Sequence, residues 1–440
     1  MFLYKEHLFK SMVTNGKYAD KINDIMDQWG YHSNPYYDHE LQPEILFELF
    51  VNREVNIEEF YKSMKLNTSL FCIEGDYGVG KSSFFRRCSL GQDQIDESNI
   101  VTNKITITKD TTENSFLLSI LSAVLNVLKM FSGLSQESKD ELGEIENVVT
   151  TQREQSTEGA LSGGLIGLKQ TRTKAKSQQH SPNYTSLNML SDLSNIGRIC
   201  DIDLDKKILL PIDDLESEKC DLDQAVYLVG LLRDLIFTDN YNIICIGEPG
   251  LREKLSSSGR TRSVFGESIF LKELSFNDFN KAIEKRLAYF KSKENYTPPF
   301  DPDVLKIIYK YSYGDIRWAF NTLNRMFEIL IRKNYIVKTY GLSHALPVLN
   351  EIEYRAFNSL EKNEQMLLIV LSKIGPHSPS DKELQDAVNL DRVTIQKLVQ
   401  KLSDDNNLLR KKKESRKFVY EVGPVIKSLE NTDLLKIPSS

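Results

Sequence analysis

A core of mostly parallel α/β structure, followed by an all-helical segment and a small C-terminal unit of helices and a hairpin, is the fold this sequence predicts. Three observations predict it. Between Leu41 and Leu274 short apolar runs (Leu70 to Ile73, Ile105 to Ile107, Ile208 to Ile212, Ile243 to Ile246) alternate with helical stretches, the pattern of a parallel sheet covered on both faces. From Ser275 to about residue 345 the apolar positions recur at helical spacing only. From 346 onward, helix, turn, helix and two strand-like runs follow one another. At 440 residues the chain is long enough for several domains.

Residues 1–40 carry Trp29 and an Asn34-Pro35 turn signal and are expected to form a partly helical extension. The α/β core is expected over 41–274. Within it about 131–195 differs in composition: the acidic stretch ESKDELGEIE is followed by a segment rich in Gly, Ser, Thr, Gln and Lys. It reads as an insertion in the form of a surface loop or small hairpin, or else as a partner-binding or regulatory element. Residues 275–345 should be the helical domain. Ser275 is a candidate N-cap with Phe279, Ala282, Ile283, Leu287 and Phe290 on one face, Asp301-Pro302 opens a second helix, and a third runs from about Asp315 to Arg332. In 346–430, Ser380 to Glu383 read as a capping box, and Asp391 caps a helix that turns Ile395, Leu398, Val399 and Leu402 inward. The basic run Arg410 to Lys417 and the alternating strand Phe418 to Val422 complete the order of a winged helix, with 431–440 as a tail.

Composition excludes several classes. The chain is 40% apolar and 27% charged and contains no run near the roughly 18 apolar residues a membrane span needs, so no membrane partner is expected. The N-terminus mixes charges among its apolar positions, which is not the pattern of a signal peptide. Five cysteines without a C-x-x-C pair argue against a disulfide framework and against zinc, and a reducing, cytoplasmic setting is expected. The net charge of −6 excludes a globally basic nucleic-acid coat but not a local basic patch.

The chemistry is concentrated at Gly75 to Ser83, GDYGVGKSS, which meets the pattern G-x-x-x-x-G-K-[ST] between an apolar strand and a helical stretch. A chance match in a chain this long is on the order of one in fifty before the strand context is counted. Gly75, Gly78 and Gly80, with Asp76, Tyr77 and Val79 between them, let backbone N–H groups turn toward phosphates. Lys81 neutralises the β and γ charges, Ser82 ligates Mg²⁺, and Ser83 continues into the helix whose dipole favours an anion. The expected cofactors are ATP and Mg²⁺. Such a loop needs a carboxylate at the tip of a neighbouring strand, and KKILLPIDDLE ends its apolar run with Asp213 and Asp214. Asp213 would hold the Mg²⁺, and Asp214 or Glu216 would orient the attacking water. Pro211 removes a ladder donor and suggests a bulge there.

These motifs resemble those of AAA+ ATPases, in particular the replication-initiator clade (origin-recognition and helicase-loader type) and related STAND-like ATPases. The resemblance spans roughly 45–425. It implies a nucleotide core with an all-helical lid and a C-terminal winged helix. It implies that Asn52, Arg53 and Glu54 lie near the adenine, that Arg317 in YSYGDIRWAF is a lid residue reaching the γ-phosphate, and that Arg262, or Arg260, acts on the nucleotide of a neighbouring subunit. Self-association is therefore expected. Two positions depart from the initiator pattern: Asp214 stands where a Glu is usual, and Glu248 where Asn, Ser or Thr is usual. Slow hydrolysis and an ATP-gated switch are the corresponding expectations.

On the winged helix, Arg392, Thr394, Gln396, Lys397, Gln400 and Lys401 lie opposite the apolar stripe, where a recognition helix meets the major groove. The wing Arg410, Lys411, Lys412, Lys413, Glu414, Ser415, Arg416, Lys417 has six basic residues against one acidic, suited to phosphate contacts. Winged helices also serve as protein-binding modules. Two functions follow: nucleotide-controlled binding of duplex DNA, or a STAND-like signalling or anti-phage defence switch that assembles with a protein partner or effector.

Overall fold

The computed structural model describes residues 24–36, 43–65, 70–89, 99–161, 184–217, 219–333, 337–404, 408–414 and 417–431. They divide into two compact units, Arg53–Lys272 on one hand and Met1–Asn52 with Glu273–Ser440 on the other.

The first unit is built on one six-stranded sheet: β1 (Leu70–Gly75), β2 (Asn99–Val101), β3 (Ile105–Thr106), β4 (Lys207–Leu215), β5 (Tyr241–Gly247) and β6 (Phe265–Leu271). The order is β2-β4-β5-β1-β6, with β3 also pairing β4, and every pairing is parallel. Strands β1 and β5 are buried along their whole length, which is why they appear in the sequence as unbroken apolar runs. Leu70, Cys72, Ile208, Leu210, Ile243 and Cys245 meet Phe116, Ile120 and Val124 of the helix Glu113–Leu128 in one core.

The bulge expected at Pro211 is displaced. The β4–β5 register runs unbroken through Leu210, Pro211 and Ile212 and slips only between Ile212 and Leu215, at the two aspartates. Ile208 donates its N–H to Asn240 on the β5 side, whereas the Leu209 carbonyl accepts from Thr102 on the other. By the two-residue alternation of a strand, Pro211 faces the Leu209 side. There β2 has ended at Val101 and β3 begins only at Ile105, so the missing donor costs no ladder bond.

The stretch 131–195 is helical at both ends instead of a loop or hairpin. The helix Gln136–Leu161 buries Leu142, Ile145 and Val149, and the helix Ser186–Leu204, capped by Thr185 and Asn188, buries Met189, Leu193 and Ile196. The acidic composition belongs to the solvent face of these amphipathic helices. The Gly- and Ser-rich part at 162–183 lies outside the described residues.

In the second unit the N-terminal residues are core. Tyr31 and Tyr36 are buried together with Met26 among Phe279, Phe300 and Phe327, and Trp29 lies 5.4 Å from Phe327 and 5.2 Å from Tyr340, ring centre to ring centre. Burial of so much aromatic area is worth more than an extension would retain. The helices Phe276–Phe290, Pro302–Ser312 and Ile316–Arg332 begin at Ser275, Asp301 and Asp315, each accepting a hydrogen bond from the third residue on. Leu342–Asn358 follows. Then come the helices Lys362–Ile374, Lys382–Val388 and Arg392–Asp404 and the antiparallel hairpin of β7 (Leu409–Glu414) and β8 (Lys417–Val422), with a bridge from His377 to Tyr420. The helix after Ser380 starts at Asp381, whose side chain caps nothing in the helix; it accepts from the Ser378 N–H and pairs with Lys417.

Glu353, 1% exposed, anchors the 3-10 segment Pro424–Asn431 by accepting from the Ser428 and Leu429 N–H groups at 2.8 and 3.3 Å. Burial pushes its carboxyl from 4.5 up to about 8. The folded unit therefore keeps a proton that the unfolded chain releases above about 4.5. The stabilisation is complete below that pH and is lost as pH rises toward 8, by on the order of 3–5 kcal/mol. The calorimetric midpoint of this unit should fall from pH 5 to pH 8 in the wild type and lose most of that dependence in Glu353→Gln. Equal slopes would refute the assignment.

Candidate functional site

The loop after β1 turns on two glycines in left-handed backbone, Gly78 at φ 76° and Gly80 at φ 91°. Gly75 is required for a different reason: a Cβ there would stand 2.6 Å from the Leu271 carbonyl oxygen of β6, its register partner. At Gly80 a Cβ would meet nothing within 4 Å, so that side of the loop is open. The helix Lys81–Ser89 follows at once, and the N–H groups of its first turn have no intrahelical acceptor.

Lys81 is buried, and its ammonium donates to the carbonyls of Gly75 (3.0 Å) and Asp76 (3.1 Å) and to Glu216 Oε1 (3.2 Å). Ser82 is hydrogen-bonded to Asp213, which is 4% exposed at the β4 tip. Burial raises the Asp213 carboxyl above its ordinary value, against the hydrogen bonds from Ser82 and from the Asp214 amide. A hydroxyl beside a carboxylate is an oxygen donor pair of the kind Mg²⁺ takes, and a buried ammonium beside an open glycine turn suits a polyphosphate. The residues present fit ATP with Mg²⁺: Lys81 and the loop amides would hold the phosphates, Ser82 and Asp213 the metal, which would neutralise charge developing on the phosphates.

Asp214 adopts φ 65° at the register slip, which turns it away from the path of β4. Its carboxylate is 2.5 Å from the Lys219 ammonium and 3.5 Å from that of Lys104. Burial acts to raise its pKa, but the two lysines outweigh it and hold the group below the usual carboxylate range. Glu216 is buried between Lys81 and Lys219, whose ammonium is 3.4 Å from Oε2. The structure thus separates the two candidate acids. Glu216 is paired with Lys81, and Asp214, about a quarter exposed at 26%, is paired with Lys219 and Lys104.

A P-loop after the central β1, an acid pair at the tip of β4, and β5 inserted between those two strands define the topology. This is a parallel P-loop α/β fold with one strand inserted between the loop strand and the acid strand. No family model matches the chain, and no curated protein matches it in sequence. Among solved structures, the Aeropyrum pernix ORC2 protein in ADPNP and ADP complexes is 12% identical over 91% of this chain and 97% of that one, with a TM-score of 0.48. The Aeropyrum pernix ORC1 protein in complex with DNA is 15% identical over 90% and 97%, at 0.46. Cdc6p from Pyrobaculum aerophilum is 11% identical over 90% and 98%, at 0.44.

In the first unit, Arg53 has φ 103° and donates to the Val79 carbonyl of the loop at 3.3 Å. Asn52, in the other unit, donates to Asp278 at 2.7 Å. Glu248 follows β5 and accepts from both the N–H and the hydroxyl of Ser217, at 2.9 and 2.8 Å. A longer acid at this position clamps the turn after the aspartates, a contact that Asn or Thr is too short to make. Arg262 is exposed in the turn before β6, and the Arg260 guanidinium lies 5.9 Å from the Tyr227 ring centre. Arg317 is exposed in the first turn of Ile316–Arg332.

Sequence reasoning missed Lys219, Lys104 and Glu74. Glu74 accepts from the N–H groups of Gly250 and Arg252, both at 2.9 Å, and so tethers the β1 end to the segment after β5. A lone acid at the end of a wholly buried strand was the available signal.

On the C-terminal unit, Arg392, Gln396, Lys397 and Gln400 are exposed on the helix Arg392–Asp404, together with Val393 at 63%. Thr394 is occupied as part of the cap, donating to Asp391, and Lys401 is paired with Glu364 at 2.6 Å. Of the hairpin cations, Lys412 is paired with Glu421 at 2.6 Å and Lys417 with Asp381 at 3.0 Å, while Lys411 lies over the Phe418 ring. Arg410 is held by Glu273 at 3.2 Å. Lys413 pairs with Phe418 in the ladder, and Arg416 lies outside the described residues. Among the described residues there is no cluster of three metal-ligating side chains and no helix long and apolar enough to cross a membrane.

Proposed function

We propose that this protein is an ATPase whose nucleotide state controls binding of duplex DNA through its C-terminal winged helix. The observation that carries the reading is the meeting of Lys81, Ser82, Asp213 and Glu216 beside the glycine turn, with Asp214 next to Asp213 in the chain. In this reading Lys81 binds the β and γ phosphates, Ser82 and Asp213 hold Mg²⁺, and Asp214 orients the attacking water. Arg317 of the helical lid senses the γ-phosphate, and Arg262 of a neighbouring copy completes the site. Both arginine roles are supported by the resemblance in their surrounding motifs. The exposed row Val393, Gln396, Lys397 and Gln400 enters the major groove, and Lys411 contacts a phosphate.

The test is fluorescence anisotropy of a labelled duplex with ATP or ADP and Mg²⁺ at two salt concentrations. Affinity should fall steeply with salt and differ between nucleotides, and neutralising Lys397 and Lys411 should weaken binding while lowering the salt slope by about one per lost phosphate contact. A second reading, a switch that assembles with a protein effector, is favoured by the pairing of Lys412 and Lys417 with Glu421 and Asp381. Absence of binding with both nucleotides would move the assignment to it.

A further inference from the structure

We infer that Lys219 is a positioning residue of the ATPase site, one that fixes one oxygen of Asp214 and leaves the other to orient the attacking water. The inference rests on the function proposed above. Its ground is a row of alternating charges within the first unit. The Lys104 ammonium lies 3.5 Å from Asp214 Oδ2, and Asp214 Oδ1 lies 2.5 Å from Lys219. Lys219 is in turn 3.4 Å from Glu216 Oε2, and Glu216 Oε1 is 3.2 Å from Lys81. Each carboxylate oxygen of the two acids thus faces one ammonium, and among the described residues Lys219 is the one cation in contact with both acids. The row runs from the surface inward: the side chain of Lys104 is 61% exposed, that of Lys219 39% and that of Lys81 7%.

The backbone under Lys219 is fixed. Its own N–H and that of Cys220 donate to the Glu216 carbonyl at 2.9 and 3.0 Å, and Glu248 holds Ser217 of the same turn. The ammonium also lies 5.9 Å from the ring centre of Tyr77, so it stands beside the phosphate loop as well as the acids. A lysine suits this place because an ammonium directs three donors around one point, whereas a guanidinium presents a flat fork. The two oxygens of Asp214 are not equivalent. The short contact to Lys219 fixes Oδ1, whereas the contact of Oδ2 to Lys104 is long and its partner is mostly in solvent, so a water can replace it. Oδ2 is therefore the oxygen that takes the water.

The experiment is single-turnover hydrolysis at saturating ATP and Mg²⁺ on the full chain, with ATP affinity read by isothermal titration and folding by calorimetric melting. Lys219→Met, which keeps the apolar stem and removes the charge, should lower turnover about tenfold to a hundredfold, the scale of a misplaced catalytic group, and leave ATP affinity within about threefold. Its thermal midpoint should stay within about 3 °C of the wild type, because the lost pairs are partly exposed. Lys219→Arg should recover part of the turnover. Added to Asp214→Asn, the change Lys219→Met should lower turnover no further, because both act through one carboxylate. Wild-type turnover in Lys219→Met overturns the inference alone. So does a loss that persists undiminished on Asp214→Asn, and Lys219 then acts on the nucleotide itself. Full turnover in Asp214→Asn, or ATP bound without turnover in the wild type, overturns the reading of the site and this inference with it.

Discussion

Lys81→Ala is expected to weaken ATP binding by roughly a hundredfold or more, because truncating one partner of a buried charge pair costs about 2–5 kcal/mol. The lysine is also structural. It neutralises Glu216 at 3.2 Å, and both side chains are at most 10% exposed. Its removal should therefore lower the thermal midpoint of the first unit as well, since Glu216 keeps only the longer contact to Lys219. The two effects separate in the double variant Lys81→Ala with Glu216→Gln, which should recover the midpoint and not the binding. Isothermal titration with ATP and Mg²⁺ reads the first effect and calorimetric melting the second. Unchanged ATP affinity in Lys81→Ala would remove the phosphate site from Gly75–Ser83.

Asp214→Asn should reduce ATP turnover by about 10²–10⁴-fold while leaving ATP affinity within about twofold, since a general base contributes on that scale and does not hold the metal. Stability should change little. The partners it loses, Lys104 and Lys219, are 61% and 39% exposed, and pairs of that kind are worth about 1 kcal/mol or less. Glu216→Gln should instead impair binding through Lys81. Should Asp214→Asn keep its turnover and Glu216→Gln lose it at full occupancy, the catalytic acid is Glu216. Single-turnover measurement at saturating ATP distinguishes the two.

Much of the site was legible because its chemistry is local. Gly75, Gly78, Gly80, Lys81 and Ser82 follow from a backbone that must turn tightly and present amides, and that requirement falls on consecutive residues. The aspartates at 213 and 214 were legible as charges ending an apolar strand. Their different surroundings were not, because these depend on a register slip and on Lys219 and Lys104, whose approach is a property of the assembled sheet. Glu248 appeared as a departure from a pattern and became intelligible only with Ser217 beside it. Arg410 was one cation among six in a basic run, and its partners Glu273 and Tyr313 lie 137 and about a hundred residues away.

The N-terminal aromatics and the stretch 131–195 show the same limit from the side of folding. Weak periodicity and acidic composition suggested an extension and a loop, whereas Tyr31, Tyr36, Leu142 and Ile145 are core. Local pattern carried the α/β class, the glycine loop with its nearby acids, and the order of helices and hairpin at the C-terminus, because periodicity, caps and turn residues act over a few positions. Which acid faces which lysine, which basic residues stay exposed, and which segments join the core emerged with the folded chain. Those depend on distances between residues far apart in the chain, and burial, charge pairing and packing are all set by such distances.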